Sequence, residues 1–323
     1  MSKNSFENMV KSRSNGKFFE IWGIPISLVV LCAALLLSTK SFASSENVFN
    51  ILRNISIIAI AGIGSTIIFV SGGMDISIGS IMALGGITSV ALITRGGVPE
   101  FWAVIIAIIV GCIAGIVNGS IITFIKLPPF IATLGMMQIV RGGCYVYTGG
   151  YSIYGNSLSA GYQMLGRGYI GMIPMPVVIM LVLFIIFAII MSNTSFGNKV
   201  YAMGSNVKAS ELFGINVKKT RILVYMIGGM TSAMAGVILA SRLQSAQGGM
   251  AQGMEFDVMT AVVLGGTSIY GGKGKLIRTL LGALVIGIIN NGMTLLNVST
   301  FFQMIVSGVV LILALALDRI NSK

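Results

Sequence analysis

Ten apolar stretches dominate this sequence and constrain its fold more than any other feature. They cover Ile21–Leu37 and approximately residues 51–70, 76–94, 101–125, 128–148, 173–192, 222–241, 257–271, 279–296 and 301–317. About 20 apolar residues in a helix cross the ~30 Å hydrocarbon core of a bilayer. Only 9% of the residues are charged, whereas soluble domains carry roughly 25%. We therefore predict an all-α integral membrane protein with about ten transmembrane helices.

The first apolar stretch has a competing interpretation as the core of a cleaved signal peptide. A small-residue cleavage site would then lie near Ala43. The stretch from Ile21 to Leu37 has 17 residues, which exceeds the ~7–15 apolar residues of such a core. We interpret it as a retained first span.

Lysine and arginine are distributed unevenly between the two sides of the predicted membrane topology. With Met1 in the cytoplasm, fifteen of the 21 basic residues are cytoplasmic, and Arg141 lies within a span. The five basic residues on the outer side are Lys40, Arg53, Arg95, Arg167 and Arg242. Basic residues concentrate in cytoplasmic loops. The prediction is a cytoplasmic N-terminal tail (1–20), a transmembrane domain (21–318) and a cytoplasmic C-terminal tail (319–323).

The longest predicted cytoplasmic loop is the polar segment 194–221. Its five basic residues are Lys199, Lys208, Lys218, Lys219 and Arg221. Within it, Asn206 is a suitable N-cap for a short helix from Val207 to Phe213, and Gly214 can close that helix. The helix would carry Leu212 and Phe213 outside the bilayer. These two residues either pack on the protein's own surface or contact a partner.

Glycine shapes both the packing and the interruptions of the apolar stretches. Gly111, Gly115 and Gly119 follow four-residue spacing, which allows helix backbones to approach closely. Glycine-rich breaks occur where stretches begin or end, and broken or re-entrant helices are expected there. The breaks are SGGMDISIGS (Ser71–Ser80), AQGGMAQGMEFD (Ala246–Asp257) and LGGTSIYGGKGK (Leu264–Lys275). The first two share Gly-Gly-Met followed by an acidic residue, which indicates an inverted repeat.

The last of these breaks resembles a phosphate-binding loop only superficially. Thr267 stands where that motif needs its first glycine, and Gly274 stands where Ser or Thr should bind magnesium. Any ATP that the protein uses must therefore be hydrolysed by another subunit. The chain has no histidine, and its three cysteines are scattered, so no metal site or cofactor is expected. The net charge of +12 is explained by the cytoplasmic loops rather than by nucleic acid.

Four ionisable residues lie within or near the predicted spans: Asp75, Arg141, Glu255 and Asp257. A charge at the centre of a membrane helix costs roughly 2.5–3.5 kcal/mol on insertion scales, so each residue needs a partner or water. One interpretation is an ion or proton relay. The other makes them structural charges that hold broken helices in register, for example Asp75 paired with Arg141.

The fifth apolar stretch is the most polar of the ten. The hydrogen-bonding side chains of this stretch either line an aqueous path or form hydrogen bonds to neighbouring helices. The candidate path residues are Phe130, Thr133, Met137, Gln138, Arg141 and Tyr145. On the outer face, Arg95, Arg167, Arg242 and the tyrosine-rich loop Gly149–Gly171 are either solvated or available to an acidic partner.

Several segments together resemble one known family, the membrane permease subunits of bacterial ribose-type ABC importers. They are NILRNISIIAIAGIGSTIIFVSGGMDISIGS (Asn50–Ser80), FIATLGMMQIVRG (Phe130–Gly142), GNKVYAMGSNVKASELFGINV (Gly197–Val217) and EFDVMTAVVLGGTSIYGGKGKLIRTLLGALVIGIINNGM (Glu255–Met293). The resemblance implies a fold of the vitamin-importer type (type II), with about ten spans. It also implies two ATPase subunits, an extracytoplasmic sugar-binding protein, and a second permease copy or a related permease subunit.

The resemblance also identifies Asn206–Ile215 as the coupling helix that contacts the ATPase. The residues implied for this contact are Asn206, Ala209, Ser210, Glu211, Leu212, Phe213, Gly214 and Ile215. The family usually has a proline or small residue where this chain has Val207, and a small polar residue where it has Phe213. These departures suggest pairing with a particular ATPase.

The predicted function is import of a monosaccharide or small polyol by alternating access, driven by partner ATPase subunits. The permease itself is not expected to be an enzyme. The predicted location is the bacterial inner membrane, with multiple spans and both termini in the cytoplasm. A secondary transporter or channel that needs no motor is the alternative, and a membrane scaffold is a more distant one.

Overall fold

A computed structural model describes residues 25–154 and 158–321. Its helices are α1 (Pro25–Ser38), α2 (Ser45–Val70), α3 (Ile78–Thr94), α4 (Glu100–Ser120, continued by a π-helical turn over Ile121–Ile125), α5 (Pro129–Thr148), α6 (Ala160–Arg167), α7 (Met175–Asn193), α8 (Ser195–Ser205), α9 (Val207–Leu212), α10 (Val217–Leu243), α11 (Met254–Leu264), α12 (Leu276–Leu295) and α13 (Thr300–Asn321). The predicted N-terminal tail, residues 21–24 of the first span and residues 322–323 lie outside the described residues. Residues 319–321, predicted as part of the C-terminal tail, continue α13.

Each of the ten predicted apolar stretches contains a helix. Within the described residues, five helices are long and apolar enough to cross a membrane: α2, α4 with its π-helical turn, α7, α10 and α12. Shorter apolar helices cover Pro25–Ser38, Ile78–Thr94 and Thr300–Ala316. The predicted fold class, an all-α membrane protein, is therefore confirmed.

The predicted stretch 257–271 does not form one continuous helix. Helix α11 has 11 residues and ends at Leu264, so it is only about 16 Å long, roughly half of the hydrocarbon thickness. It ends there because Gly265 and Gly266 follow, and Gly266 adopts a φ of +78°, which is strained for residues with a side chain. The chain then turns through residues 265–275 before α12 begins.

Helices α2 and α10 form the centre of the bundle. Most of the length of α2 is buried, and α10 packs against α2, α3 and α4. The close packing depends on glycine: a Cβ on Gly229 would overlap the carbonyl oxygen of Gly111, and a Cβ on Gly115 would overlap that of Tyr225. The predicted role of the four-residue glycine spacing in helix packing is confirmed for these positions. Helices α4 and α7 instead expose much of their apolar surface.

In the part of the chain that the structure describes, four two-residue strands join loops on the face where α5 and α10 end. They are β1 (Ile153–Tyr154), β2 (Tyr169–Ile170), β3 (Ile173–Pro174) and β4 (Ser245–Ala246). Strand β1 pairs antiparallel with β4, and β2 pairs with β3 in a hairpin. The β1–β4 pairing brings the loop after α5 beside the loop after α10. The predicted topology also places these two loops on the same side of the membrane. The assignment of the opposite face to the cytoplasm stays a prediction.

Candidate coupling and translocation site

The polar segment 194–221 folds into short helices because three side chains cap them in succession. The Thr194 hydroxyl accepts a hydrogen bond from the backbone N–H of Gly197, and this cap begins α8. Asn206 Oδ1 accepts from Ala209 N at 3.0 Å, which begins α9, and Asn216 caps α10 in the same way. Such caps satisfy backbone N–H groups that have no partner within the helix.

Helix α9 is the predicted coupling helix, and its local structure is close to the prediction. Asn206 is its N-cap, as predicted, and Gly214 closes it with a φ of +78°. The helix ends at Leu212, one residue before the predicted end, because Phe213 is the C-cap residue. Ser210 is buried and its hydroxyl donates to the carbonyl oxygen of Asn206 at 2.8 Å.

Leu212 and Phe213 are the most exposed large apolar side chains of this segment. Leu212 is 89% exposed and Phe213 is 88% exposed, so the interpretation that they pack on the protein's own surface is wrong within this chain. Ala209 and Ile215 are half-buried, and Glu211 and Gly214 are exposed beside the pair. The contact with an ATPase stays a prediction.

Helix α8 connects this segment to the bundle through four glycines, which we call the glycine junction: Gly72, Gly204, Gly271 and Gly272. A Cβ on Gly204 would overlap the carbonyl oxygen of Val70 and lie 2.7 Å from Gly272 N. The same carbonyl oxygen accepts a hydrogen bond from Gly272 N at 2.9 Å. The end of α2, the end of α8 and the loop 265–275 therefore meet in backbone contact two residues before Asn206.

A tyrosine supports the glycine junction from α8. The Tyr201 hydroxyl donates to the carbonyl oxygen of Gly274 at 2.7 Å. Burial raises the pKa of this phenol above its usual value, because desolvation disfavours the charged phenolate. Tyr201 therefore stays protonated and keeps its donor proton at neutral pH.

The first break follows the glycine junction directly and is held by buried hydrogen bonds. The Tyr225 hydroxyl accepts from Met74 N at 3.2 Å and donates to Met74 O at 3.0 Å. Asp75 Oδ1 accepts from both the backbone N–H and the hydroxyl of Ser77, at 2.7 and 2.5 Å. Asn118 donates to the Ser77 hydroxyl at 2.9 Å. The break is thus fixed to α10 and α4.

Helix α5 contacts both breaks through two of its predicted path residues. The Thr133 hydroxyl accepts a hydrogen bond from Ile76 N at 3.2 Å in the first break. Arg141 donates to the carbonyl oxygens of Gly248 and Met250, at 2.8 and 2.7 Å, in the second break. These two residues lie two turns apart on α5, and each is bonded to non-helical backbone.

The suggested pair of Asp75 with Arg141 is not what the structure contains. Asp75 lies beside Ile76, which is bonded to Thr133, and Arg141 is eight residues further along the same helix. Eight residues of α-helix span about 12 Å, and Asp75 Oδ1 is bonded to Ser77 rather than to an arginine. Arg141 instead binds main-chain oxygens of the second break.

The remaining carboxylates also have local partners. Glu255 Oε1 accepts from Gly253 N at 3.2 Å, and Gly79 packs directly against the Glu255 carboxylate and Ala251. This packing brings the start of α3 into contact with the second break. Asp257 Oδ2 accepts from Asn290 Nδ2 at 3.0 Å. A structural role for Asp75, Glu255 and Asp257 stays a prediction that these contacts favour. Among the described residues, no cluster of three or more Cys, Asp or Glu could hold a metal ion.

The other predicted path residues lie mostly on an open face of α5. Phe130, Gln138 and Tyr145 are exposed, whereas Met137 is half-buried against the bundle. A Cβ on Gly135 or Gly142 would meet nothing within 4 Å. The face around Gly135 and Gly142 is therefore unoccupied by the rest of the described chain, whereas the Tyr145 ring packs against Gly248. The role of this face in translocation stays a prediction.

Sequence reasoning did not identify the glycine junction or the roles of Tyr225 and Asn118. Gly204 lies in a polar segment where glycine is common, so its sequence context contains no signal for a close contact. Tyr225 and Asn118 are polar residues that lie between apolar neighbours in α10 and α4. That position was the one available indication that they have buried hydrogen-bond partners.

Apolar helices of spanning length, two broken segments and an exposed apolar pair on a basic loop together define the class of this protein. Broken helices that meet inside a bundle are typical of membrane transporters. The chain is a multi-pass membrane permease.

Comparison with known proteins identifies the family. Residues 47–315 match the family described as branched-chain amino acid transport system / permease component, and the chain belongs to that family. It is 41% identical over 297 residues to the ribose import permease protein RbsC of Bacillus subtilis, covering 92% of each chain. It is 40% identical to the ribose import permease protein RbsC of Escherichia coli K12, covering 91% of this chain and 92% of that one.

A third relative is the D-allose transport system permease protein AlsC of Escherichia coli K12. It is 33% identical over an alignment of 326 positions, which covers 98% of this chain and 99% of the relative. No solved structure gives a significant match to the chain.

Proposed function

We propose that this chain is the permease subunit of an ABC importer that brings a monosaccharide, with ribose the first candidate, across the bacterial inner membrane. The support for a sugar is that relatives covering over 90% of the chain are named ribose and D-allose permeases. The permease breaks no covalent bond of its substrate, and ATP is hydrolysed by separate partner subunits.

The observation that carries this function is the exposed pair Leu212–Phe213 on a helix fixed to the bundle. Large apolar side chains that are almost fully exposed on a rigid support suit a protein interface. We expect them to occupy a groove on the ATPase, with Glu211 and Gly214 at its edge. Gly204 of the glycine junction lies two residues before Asn206, the N-cap of α9, so movement of α9 would reach the first break through backbone contacts.

The translocation path would run along the open face of α5. Gln138 offers hydrogen bonds to sugar hydroxyls there, and Gly135 and Gly142 leave room beside it. A second copy of the chain, or a related permease subunit, would close the other side of the path. Thr133 and Arg141 would act on the side of α5 away from this face, where their hydrogen bonds hold both breaks in a fixed position relative to α5.

The topology that fits this arrangement has about ten spans and the vitamin-importer (type II) fold. Both termini and the segment 194–221 face the cytoplasm, where the ATPase subunits are. The extracytoplasmic sugar-binding protein docks on the opposite face, beside the loops that β1 and β4 join. Alternating access then links ATP binding in the cytoplasm to release of the sugar from the binding protein.

The substrate class can be tested by competition. We expect unlabelled ribose to abolish uptake of labelled ribose into vesicles that contain the chain with its ATPase and binding protein. D-Allose should compete less strongly, and leucine, which the family description suggests, should not compete at all. Transport of leucine with no uptake of ribose would overturn the sugar assignment.

A further inference from the structure

Three arginines from three separate helices meet on the outer face of the predicted topology. We call Arg53 of α2, Arg167 of α6 and Arg242 of α10 the arginine cluster. Arg53 donates to the carbonyl oxygen of Arg167 at 3.3 Å, and Arg167 Nε donates to that of Arg242 at 2.7 Å. Arg242 donates to Asn54 Oδ1 at 2.5 Å. Arg53 and Arg167 each bind the backbone of another arginine of the cluster, and Arg242 binds the side chain of Asn54, the residue after Arg53.

The acceptors that hold the arginine cluster are electrically neutral. They are two main-chain carbonyls and one side-chain amide, so these bonds leave three positive charges uncompensated. The positive charges of Arg53 and Arg167 both interact electrostatically with the guanidinium of Arg242. Arg53 Nε is buried and has no hydrogen-bond partner within the described residues. Like charges held this close repel each other unless an anion binds between them.

The arginine cluster lies at the level expected for lipid phosphates. Arg53 is 17 residues from Val70, the last residue of α2, which corresponds to about 26 Å along the helix. Arg242 is 20 residues from Ile222, where the apolar part of α10 begins, or about 30 Å. Because the hydrocarbon core is ~30 Å thick, both guanidinium groups lie near its outer boundary.

Aromatic and apolar side chains surround the arginine cluster on its exposed side. The guanidinium of Arg53 stacks 4.8 Å from the ring centre of Tyr169, which packs edge-to-face on Phe49. The hairpin of β2 and β3 exposes Ile170, Met172 and Ile173. It leads into α7, whose outer surface is also apolar and exposed. Aromatic residues at this depth are typical of the membrane interface.

We infer that the arginine cluster binds the phosphate of an anionic phospholipid in the outer leaflet, with its acyl chains along the exposed surface of α7. The ligand chemistry is a phosphate that the guanidinium groups bind by charge-assisted hydrogen bonds. A lipid is favoured over a free phosphate because the apolar hairpin and α7 adjoin the site. This inference does not depend on the transported substrate.

Native mass spectrometry of the full, delipidated chain tests the inference directly. The wild-type protein is titrated with phosphatidylglycerol, with phosphatidylcholine and with inorganic phosphate. We expect phosphatidylglycerol to bind on the order of tenfold more tightly than phosphatidylcholine, because each basic residue near an anionic headgroup strengthens binding several-fold. Inorganic phosphate should bind weakly.

Two charge-matched double variants separate the site from general surface charge. Arg53→Gln with Arg167→Gln should reduce the preference for phosphatidylglycerol to about twofold or less. Lys40→Gln with Arg95→Gln removes the same charge from the same face, and should keep the preference. If the first pair does not fold, Arg167→Gln alone is used, since its side chain is exposed.

Three results would overturn the inference. Equal effects of both double variants would make the lipid preference a general charge effect. Binding of inorganic phosphate as tight as that of phosphatidylglycerol would identify a free-anion site. Unchanged lipid binding together with weaker binding of an acidic extracytoplasmic protein would make the arginine cluster a protein docking surface.

Discussion

Replacing Leu212 and Phe213 by glutamate should abolish ATP-driven uptake while leaving the permease folded. Both side chains are almost fully exposed, and surface substitutions usually change stability by within about 0.5 kcal/mol. Apolar residues at the centre of an interface each contribute about 2 kcal/mol or more to binding. Losing both should weaken the contact with the ATPase by about a thousandfold. The measurements are uptake into reconstituted vesicles and co-purification of the ATPase.

A matched control separates the apolar contact from the charge of the segment. Lys218→Gln with Lys219→Gln lowers the charge by the same two units on exposed positions nearby. We expect this variant to keep most of the uptake. If the glutamate variant were expressed normally and transported like the wild type, α9 would not be the coupling helix.

Replacing Gly204 by alanine should uncouple ATP hydrolysis from transport. The added methyl group would overlap the carbonyl oxygen of Val70 and approach Gly272 N, so the end of α8 must move away from α2. Overpacking of this kind costs typically about 1–3 kcal/mol. We expect the assembled complex to hydrolyse ATP while transporting several-fold less sugar per ATP. The reason is that the displaced end of α8 no longer transmits movement of α9 to the first break.

Gly308→Ala is the matched control for this substitution. Gly308 is also a helical glycine, and a Cβ there would meet nothing within 4 Å. The control should transport at the wild-type ratio. If Gly204→Ala also kept the wild-type ratio of sugar to ATP, the glycine junction would not transmit movement from α9.

Local patterns predicted local structure well. The apolar stretches located the helices, and the capping signals of Asn206 and Gly214 located α9 to within one residue. Both depend on neighbours a few residues apart, which the sequence contains directly. The apolar stretch 257–271 overestimated the length of α11, because hydropathy alone does not register a backbone turn with positive φ. The glycine-rich break that starts at Leu264 did indicate where this helix ends.

Long-range contacts were predicted less well, for a physical reason. Asp75 and Arg141 were predicted to pair because their charges are opposite. The distance between them depends on the position of each residue along its own segment, and charge does not reveal that position. Arg141 instead donates to the main-chain carbonyl oxygens of Gly248 and Met250. Every residue type has such a carbonyl, so the sequence does not identify these partners. The glycine junction likewise joins backbone to backbone, so side-chain chemistry does not reveal it.

A permease that is moved by a separate ATPase should transport only when ATP and its partner subunits are present. The most direct test is uptake of labelled ribose by vesicles that contain the chain alone, or with its binding protein and ATPase, in the presence and absence of ATP. We expect accumulation against a gradient only with ATP and with both the binding protein and the ATPase. Accumulation by the chain alone, driven by an ion gradient, or passive ribose flux without the ATPase would contradict it.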